Sequence, residues 1–242
     1  MILRYGDQRI PIDVRRSTAI RDRIRIHVYP DGGVEIEAPA DEASIAIRAA
    51  AQKRARWIST QRDEALARRE HALPREYVSG ETHFYLGARY KLIVENARGV
   101  SEQVKLLRGR LVVYTSSREP AHVRALLRAW YDKRSRDYLT ARFNTIVVSS
   151  KFVKSQPALS FRRMRTQWGS CSPSGTISLN PALVRAPRNC IDYVVVHELC
   201  HLVEHNHSPR FFKLLSRHVP DWQKTKAELD NLAELILIDP AL

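Results

Sequence analysis

The chain has 242 residues, of which 44% are hydrophobic and 27% are charged, and these proportions are ordinary for a protein with a substantial core. No apolar stretch approaches the roughly 18–20 residues that a membrane span requires, and no apolar run follows the first charge as in a secretory signal. The three cysteines, Cys171, Cys190 and Cys200, are too few for a disulfide framework. We therefore expect a cytoplasmic protein with no membrane partner.

The net charge of +14 makes a polyanion a candidate partner, because basic chains attract nucleic acid through counterion release. Two basic runs stand out, KRARW at 53–57 and KFVKSQPALSFRRMRTQW at 151–168. No nucleic-acid-binding motif accompanies them, and solvated basic faces are common. Nucleic-acid binding therefore stays an alternative, and the oligomeric state is left open.

The first part of the chain shows the alternation of antiparallel strands. Apolar and polar residues alternate on both sides of residues 30–33 (PDGG), a sequence that favours a hairpin turn. The same alternation surrounds Gly87 and Gly109, which predicts two further hairpins. Residues 41–71 contain neither Gly nor Pro and are predicted to form one helix between the first two hairpins.

A second helix is predicted directly after Pro120. Its large apolar residues recur at helical spacing, so its aromatic side chains are expected in a core rather than on a surface that stacks bases. These residues are Leu126, Leu127, Trp130, Tyr131 and Tyr138. We place the domain boundary here. Residues 1–118 are predicted to be a β-rich N-terminal region with one helix, and residues 119–242 a second domain, in an α+β fold.

Short strands are expected at 158–164 and 176–180, and the Gly, Ser and Pro between them predict a loop. Asn189 is the predicted N-cap of the following helix. Another helix begins at Ser208-Pro209, a capping residue followed by proline at the first helical position. A C-terminal helix follows Pro220.

The clearest chemical signal is His197-Glu198-Leu199-Cys200-His201, an H-E-x-x-H sequence in the helix that Asn189 is predicted to cap. Residues four apart lie on one helix face, so the two imidazoles can bind one zinc ion. Glu198 lies beside the first ligand and can act as general base on a zinc-bound water. The alternative is a polar stripe on an amphipathic helix.

A catalytic zinc needs a third protein ligand. His207 stands ten residues after His197, the interval of the pattern H-E-x-x-H-x-x-G-x-x-H, but Glu204 replaces its glycine. Asn206 is the best local substitute, because Asn tolerates the left-handed conformation. A glutamate from the last helix, Glu228 or Glu234, is the alternative to His207.

Neighbouring residues have simpler interpretations. His205 is expected at the surface or in support of a ligand, and His218 in a structural role. Trp168 is expected to fill core, and Cys200 to be a small buried residue. No methionine follows the motif, which excludes a metzincin with its methionine turn.

Three stretches, WGSCSPSGTISLN, IDYVVVHELCHLVEHNHSPRFF and VPDW, resemble the YgjP-like metal-dependent hydrolases, which are related to the SprT-like and WLM zinc peptidases. FYLGARYKLIV is similar to the upstream region of that family. The resemblance implies a compact zincin-like metallopeptidase domain behind a β-rich N-terminal part. It also implies zinc held by His197, His201 and His207, with Glu198 as the catalyst, but it names no physiological substrate.

The sequence thus predicts a zinc metallopeptidase that acts on proteins or peptides, with Zn²⁺ as its cofactor. Residues 176–180 (TISLN) are expected to form the sheet edge that binds the substrate backbone. One alternative is a basic nucleic-acid-binding module with a structural or secondary zinc site. Another is a peptidase that acts on DNA-associated proteins.

Overall fold

The computed structural model describes residues 1–18, 24–29, 32–70, 75–99 and 101–237, and it has the mixed α+β character that the sequence predicts. Its strands are β1 Ile2–Tyr5, β2 Gln8–Ser17, β3 Arg25–Val28, β4 Val34–Pro39, β5 Thr82–Tyr85, β6 Ala88–Asn96, β7 Gln103–Leu107, β8 Arg110–Thr115, β9 Leu159–Phe161, β10 Gly169–Cys171 and β11 Ile177–Leu179. Its helices are α1 Ser44–Lys53, α2 Ala55–Glu70, α3 Pro120–Ser149, α4 Arg188–Cys200, α5 Pro209–His218 and α6 Trp222–Leu237, with a 3₁₀ helix at Pro181–Arg185. Contacts between residues divide the chain into two units, 1–73 and 74–242.

The first unit is a four-stranded sheet with two helices. Its strands lie in the order β1-β2-β4-β3, with β2 parallel to β4 and the other neighbours antiparallel. Alternate residues of β2 and β4 point into a core shared with the helices, where Ile10, Ile36 and Ile47 are buried. The antiparallel pairing of β3 with β4 confirms the first predicted hairpin, whose Pro30 and Asp31 lie outside the described residues.

The single helix predicted over 41–71 is instead two helices, and residue 71 lies outside the described part of the chain. Arg54 separates α1 from α2, with a φ of −105° and a ψ of 10°. Ala51 and Ala55, on the two sides of the break, are both buried in the core of this unit. The bend therefore keeps both helices packed on the sheet. It depends on tertiary packing, and no Gly or Pro marks its position in the sequence.

The second unit begins with a sheet of order β5-β6-β8-β7. The antiparallel pairs β5–β6 and β7–β8 confirm the two hairpins predicted at Gly87 and Gly109. In both turns the two central residues, Leu86-Gly87 and Arg108-Gly109, have positive φ. This is the conformation of the tight hairpin turns that match the twist of the strands.

This sheet packs on α3, which explains why the observed division falls at 73/74 whereas the sequence placed it near 118. Leu92 and Leu111 of the sheet share one core with Leu127 and Tyr131 of the helix. The aromatic residues of α3 therefore lie in a core, as predicted from their spacing. Of the described helices, α3 included, none is long and apolar enough to cross a membrane.

The C-terminal part of the second unit surrounds α4 with helices α3, α5 and α6 and a small sheet of order β10-β11-β9. Strand β11 pairs with β10 on one side and with β9 on the other. The expectation that residues 176–180 form a sheet edge is therefore wrong, because β11 is the central strand. The edge beside α4 is β10, within the segment that the sequence predicted as loop.

Helix α4 begins one residue before the predicted cap. Its N-cap is Pro187, and the Asn189 side chain donates instead to Glu228 Oε2 at 2.8 Å. The entry to α4 is also bonded to the β5–β6 turn: the Leu86 amide donates to the Val184 carbonyl at 2.8 Å, and the Gly87 amide to the Arg185 carbonyl at 3.1 Å. The upstream sheet thus fixes the position at which α4 starts.

Gly87→Ala is expected to destabilise the second unit more than Gly109→Ala. Both glycines have positive φ, which costs an alanine roughly 1–2 kcal/mol, but only at Gly87 would a Cβ lie 2.8 Å from a backbone atom, Pro187 Cα. Overpacking adds roughly 1–3 kcal/mol there. Urea unfolding followed by tryptophan fluorescence measures both losses, and equal losses would contradict the proposed docking of this turn.

Candidate metal centre and cleft

The polar residues of the H-E-x-x-H sequence lie at the C-terminal end of an otherwise buried helix. Val194, Val195 and Leu199 of α4 are buried in the main core. His197 lies in the last turn of α4 and His201 at its C-cap, and both are partly exposed. The core therefore fixes the helix and leaves one face on which the two imidazoles meet solvent.

After α4 the chain reverses, so that His207 returns to the same face. Tight turns close the helix, and the Glu204 amide donates to the Cys200 carbonyl at 3.0 Å. A three-residue turn then bonds the Ser208 amide to the Asn206 carbonyl at 2.7 Å. The expectation of a left-handed Asn206 is wrong, because among the described residues other than glycine positive φ occurs at Tyr77, Leu86 and Arg108.

The three imidazoles form a cluster around one buried ring. One candidate ligand atom from each of His197, His201 and His207 lies within 4.8 Å of the others, and the Nε2 atoms of His197 and His207 are 3.0 Å apart. The ring of Phe211, fully buried in α5, lies 4.6–4.9 Å from all three imidazole rings. Ser208 caps α5 as predicted, accepting from the Phe211 amide at 3.3 Å, and so holds this ring in place.

A hydrogen bond at one ring nitrogen of His201 leaves the other nitrogen free to bind a cation. Its Nδ1 lies 3.2 Å from the Glu204 carbonyl, an acceptor that places the ring proton on Nδ1 and leaves the Nε2 lone pair free. Burial lowers the pKa of His197 to about 3 and also lowers the pKa of His201. Both rings are therefore neutral at pH 7, the form in which imidazole binds a metal.

Glu198 follows His197 in α4, and its side chain lies against the sheet edge. The residue is 6% exposed, and burial raises its pKa to about 8, so at pH 7 the group is mainly the neutral acid and its carboxylate form is a stronger base than that of an ordinary glutamate. A Cβ at Gly169 of β10 would lie 2.8 Å from both Cγ and Oε1 of Glu198. The missing side chain at Gly169 therefore makes the space that the Glu198 carboxyl occupies.

The other sequence candidates lie elsewhere. Glu228 is bonded to Asn189 at the opposite end of α4, and the side chain of Glu234 lies outside the described part of the structure. His205 is exposed, and the His218 ring packs on Phe152 at 4.6 Å. Cys200 is buried as expected, and Trp168 packs against the main core.

The two basic runs belong to different units, 53–57 to the first and 151–168 to the second. Part of the second run has a structural use, because Arg163 forms an ion pair with Asp132 of α3. Arg136 of α3 in turn lies over the Phe161 ring at 5.7 Å. These contacts describe a surface that braces α3 against β9 and give no specific support to nucleic-acid binding.

Sequence reasoning did not identify Gly169, Phe211 or the Glu204 carbonyl as parts of this site. Gly169 gave a signal, since a glycine next to Trp168 in a segment without a strand pattern can mark a close approach of backbone to a side chain. A backbone carbonyl has no residue signature, and Phe211 has the appearance of any core residue of an amphipathic helix.

Comparisons with known proteins give the family of the chain. A family model described as "YgjP-like, metallopeptidase domain" matches residues 22–232. The metallopeptidase zymogen of Pyrococcus abyssi abylysin is 23% identical, over 40% of this chain and 90% of that chain, with a TM-score of 0.32. The metallopeptidase zymogen of Methanocaldococcus jannaschii jannalysin is 22% identical, over 40% of this chain and 97% of that chain, with a TM-score of 0.35. No curated protein matches the chain.

His207→Ala is expected to weaken metal binding, whereas Glu228→Ala is expected to leave it unchanged. Loss of a residue that hydrogen-bonds to a metal ligand already lowers metal affinity by about 10–100-fold. Loss of a direct ligand should therefore lower it by at least about 100-fold. Competition with a chelator, followed by metal analysis, measures both variants. Retention of metal in His207→Ala together with loss in Glu228→Ala would show that the third ligand is the glutamate.

Proposed function

We propose that this chain, which belongs to the YgjP-like metallopeptidase family and is therefore a metal-dependent hydrolase, holds zinc between His197, His201 and His207. The observation that carries the proposal is the convergence of three imidazoles at the end of α4, where the buried Glu198 directly follows His197 in the chain. Calcium and magnesium prefer oxygen ligands, whereas imidazole nitrogen suits zinc. Three protein ligands are the number typical of catalytic zinc, since structural sites use four.

Zinc in such a site acts as a Lewis acid that polarises a carbonyl group and lowers the pKa of water. Glu198 supplies the proton transfers. Its carboxylate takes a proton from the attacking water and passes it to the leaving amine, which requires a strong base that later becomes an acid. The burial that raises the pKa of Glu198 suits both roles, and the packing against Gly169 restricts the positions that its carboxyl can adopt.

A peptide substrate is supported by the sheet edge that lies over Glu198. Trp168 and Ser172, which flank β10, form backbone hydrogen bonds with Asn180 and Thr176, which flank β11. By the alternation of an antiparallel pair, the backbone groups of Gly169 and Cys171 therefore point away from β11. Within the described chain no backbone hydrogen bond from outside the sheet reaches these two residues. An extended peptide can therefore add to β10 as a further strand and place a peptide bond beside Glu198.

Substitution of Glu198 by Gln is expected to abolish most activity without loss of zinc. The amide keeps the volume of the side chain but removes the basic carboxylate, so cleavage of an unstructured protein such as casein should fall by roughly 10²-fold or more. Glu204→Gln is the matched control, because the Glu204 group that contacts His201 is its backbone carbonyl. Cleavage and zinc content are measured in parallel. Undiminished cleavage by Glu198→Gln would exclude Glu198 as the general base.

Gly169→Ala is expected to reduce turnover while zinc remains bound. The new Cβ would displace the Glu198 carboxyl, and a misplacement of about 1 Å costs roughly 10²-fold in rate. Ser170→Ala, at the next position of β10, is the control and should retain nearly full activity. Circular dichroism verifies folding of both variants. Equal activity of Gly169→Ala and the wild type would show that the space at Gly169 has no role in placing Glu198.

A further inference from the structure

Among the described residues, the His207 ring lacks a hydrogen bond of the kind that orients the His201 ring. His201 bonds to the Glu204 carbonyl, and His197 lies within α4. His207 instead lies in the irregular segment before α5, and it is exposed. Its one described hydrogen-bond contact joins its Nε2 to His197 Nε2 at 3.0 Å. These are the two atoms that would face a metal, so this contact does not orient the ring for binding one.

Two phenylalanine rings at the start of α5 contact the His207 ring from different directions. The Phe211 ring meets it in a T-shaped arrangement, with the ring centres 4.8 Å apart and the planes at 78°. The Phe212 ring is nearly parallel to it, with the centres 6.0 Å apart and the planes at 25°. The planes of the two phenylalanine rings themselves meet at 87°. They therefore form a corner that restricts the rotation of the imidazole ring.

Phe211 and Phe212 differ in the histidines that they contact. Phe211 is fully buried and lies 4.6–4.9 Å from all three imidazole rings, so its substitution would disturb the whole cluster. Phe212 is only partly buried, and within the described structure its ring contacts no imidazole of the cluster other than that of His207. Substitution of Phe212 therefore examines the third ligand separately from the other two.

Trp222 supports the Phe212 ring from α6. The two rings are stacked, with the centres 4.9 Å apart and the planes at 18°. The indole Nε1–H of Trp222 donates to Ser216 Oγ at 3.0 Å, and Ser216 lies about one turn after Phe212 in α5. Trp222 is the first residue of α6, a helix that packs on α4. The stack therefore connects His207 to the helix that packs against the carrier of the other two histidines.

We propose that Phe212, supported by Trp222, is a positioning residue that holds the His207 imidazole in the orientation required to bind the metal. The inference rests on the proposed zinc site. Aromatic pairs of this kind are favourable beyond the area that they bury. A group that is already oriented loses less conformational freedom on binding, so the stack should raise the affinity of the site for zinc.

The test measures zinc affinity, by competition with a chelator, in variants that keep all three histidines. Phe212→Leu removes the flat ring but keeps an apolar side chain, and it should weaken zinc binding about tenfold, the lower end of the contribution of residues that orient a ligand. Phe212→Tyr keeps the ring and should bind zinc nearly as tightly as the wild type. Phe152→Leu is the matched control, because Phe152 packs on His218, which is not a candidate ligand.

Two further comparisons separate orientation of His207 from a general effect on the fold. Trp222→Leu should weaken zinc binding by a smaller factor than Phe212→Leu does, whereas Trp222→Phe, which can still stack on Phe212, should bind nearly normally. Calorimetry at high zinc concentration measures the weak binding that His207→Ala retains. In that background Phe212→Leu should cause no further loss, because the ring that it orients is absent. Circular dichroism verifies that each variant is folded.

The outcomes separate this inference from the zinc site on which it rests. If His207→Ala binds zinc as tightly as the wild type, the proposed ligand set fails, and the inference fails with it. If His207→Ala loses affinity but Phe212→Leu does not, the inference alone is overturned. The same holds if Phe152→Leu weakens binding equally, if Phe212→Tyr does not restore it, or if Phe212→Leu weakens it further in His207→Ala. Unchanged affinity in Trp222→Leu would overturn the role of Trp222.

Discussion

The burial of α4 is the constraint on which the rest of the structure depends. A helix that buries a run of valines contributes about 1.5–3 kcal/mol for each apolar side chain removed from water, but it must not bury unpaired polar groups. The valines of α4 meet the first condition, and the helix ends at the surface; the second condition has an exception in His197 Nδ1, which is buried without a hydrogen-bond partner among the described residues. His197 and His201 then lie on the last exposed turn, while Glu198, which points back under β10, is buried in a space that Gly169 provides. The polar groups of the site therefore have fixed positions because the helix that carries them is fixed.

The β-rich region upstream contributes to this rigidity, which changes how the chain should be divided. The sheet of β5 to β8 shares a core with α3, and its Leu86-Gly87 turn bonds to residues 184–185, just before α4. Helix α3 in turn holds α4 through the Arg142–Asp192 ion pair. The β5–β6 turn and the ion pair from α3 therefore both help to position α4. Residues 74–118 belong structurally with the site, although their composition resembles that of the strands before them.

Sequence reasoning predicted the features that depend on local chemistry. The i, i+4 spacing placed His197 and His201 together, and the cap at Ser208 located α5. It could not predict features that depend on distant contacts. Strand β10 has three residues, Gly, Ser and Cys, none of which favours a strand, and it exists because it pairs with β11. The return of His207 was predicted from its interval, but its route through a three-residue turn, without a left-handed residue, was not.

The shortness of β10 also bears on which substrates can reach the proposed site. Proteins limit uncontrolled pairing by keeping edge strands short, and a three-residue edge of small side chains offers few hydrogen bonds by itself. A chain that adds there gains little from backbone pairing alone, so side-chain contacts beyond the strand must supply much of the affinity. Such contacts require a segment extended over several residues. Unstructured segments present such stretches more readily than most surfaces of native proteins do, so a short edge of this kind favours them.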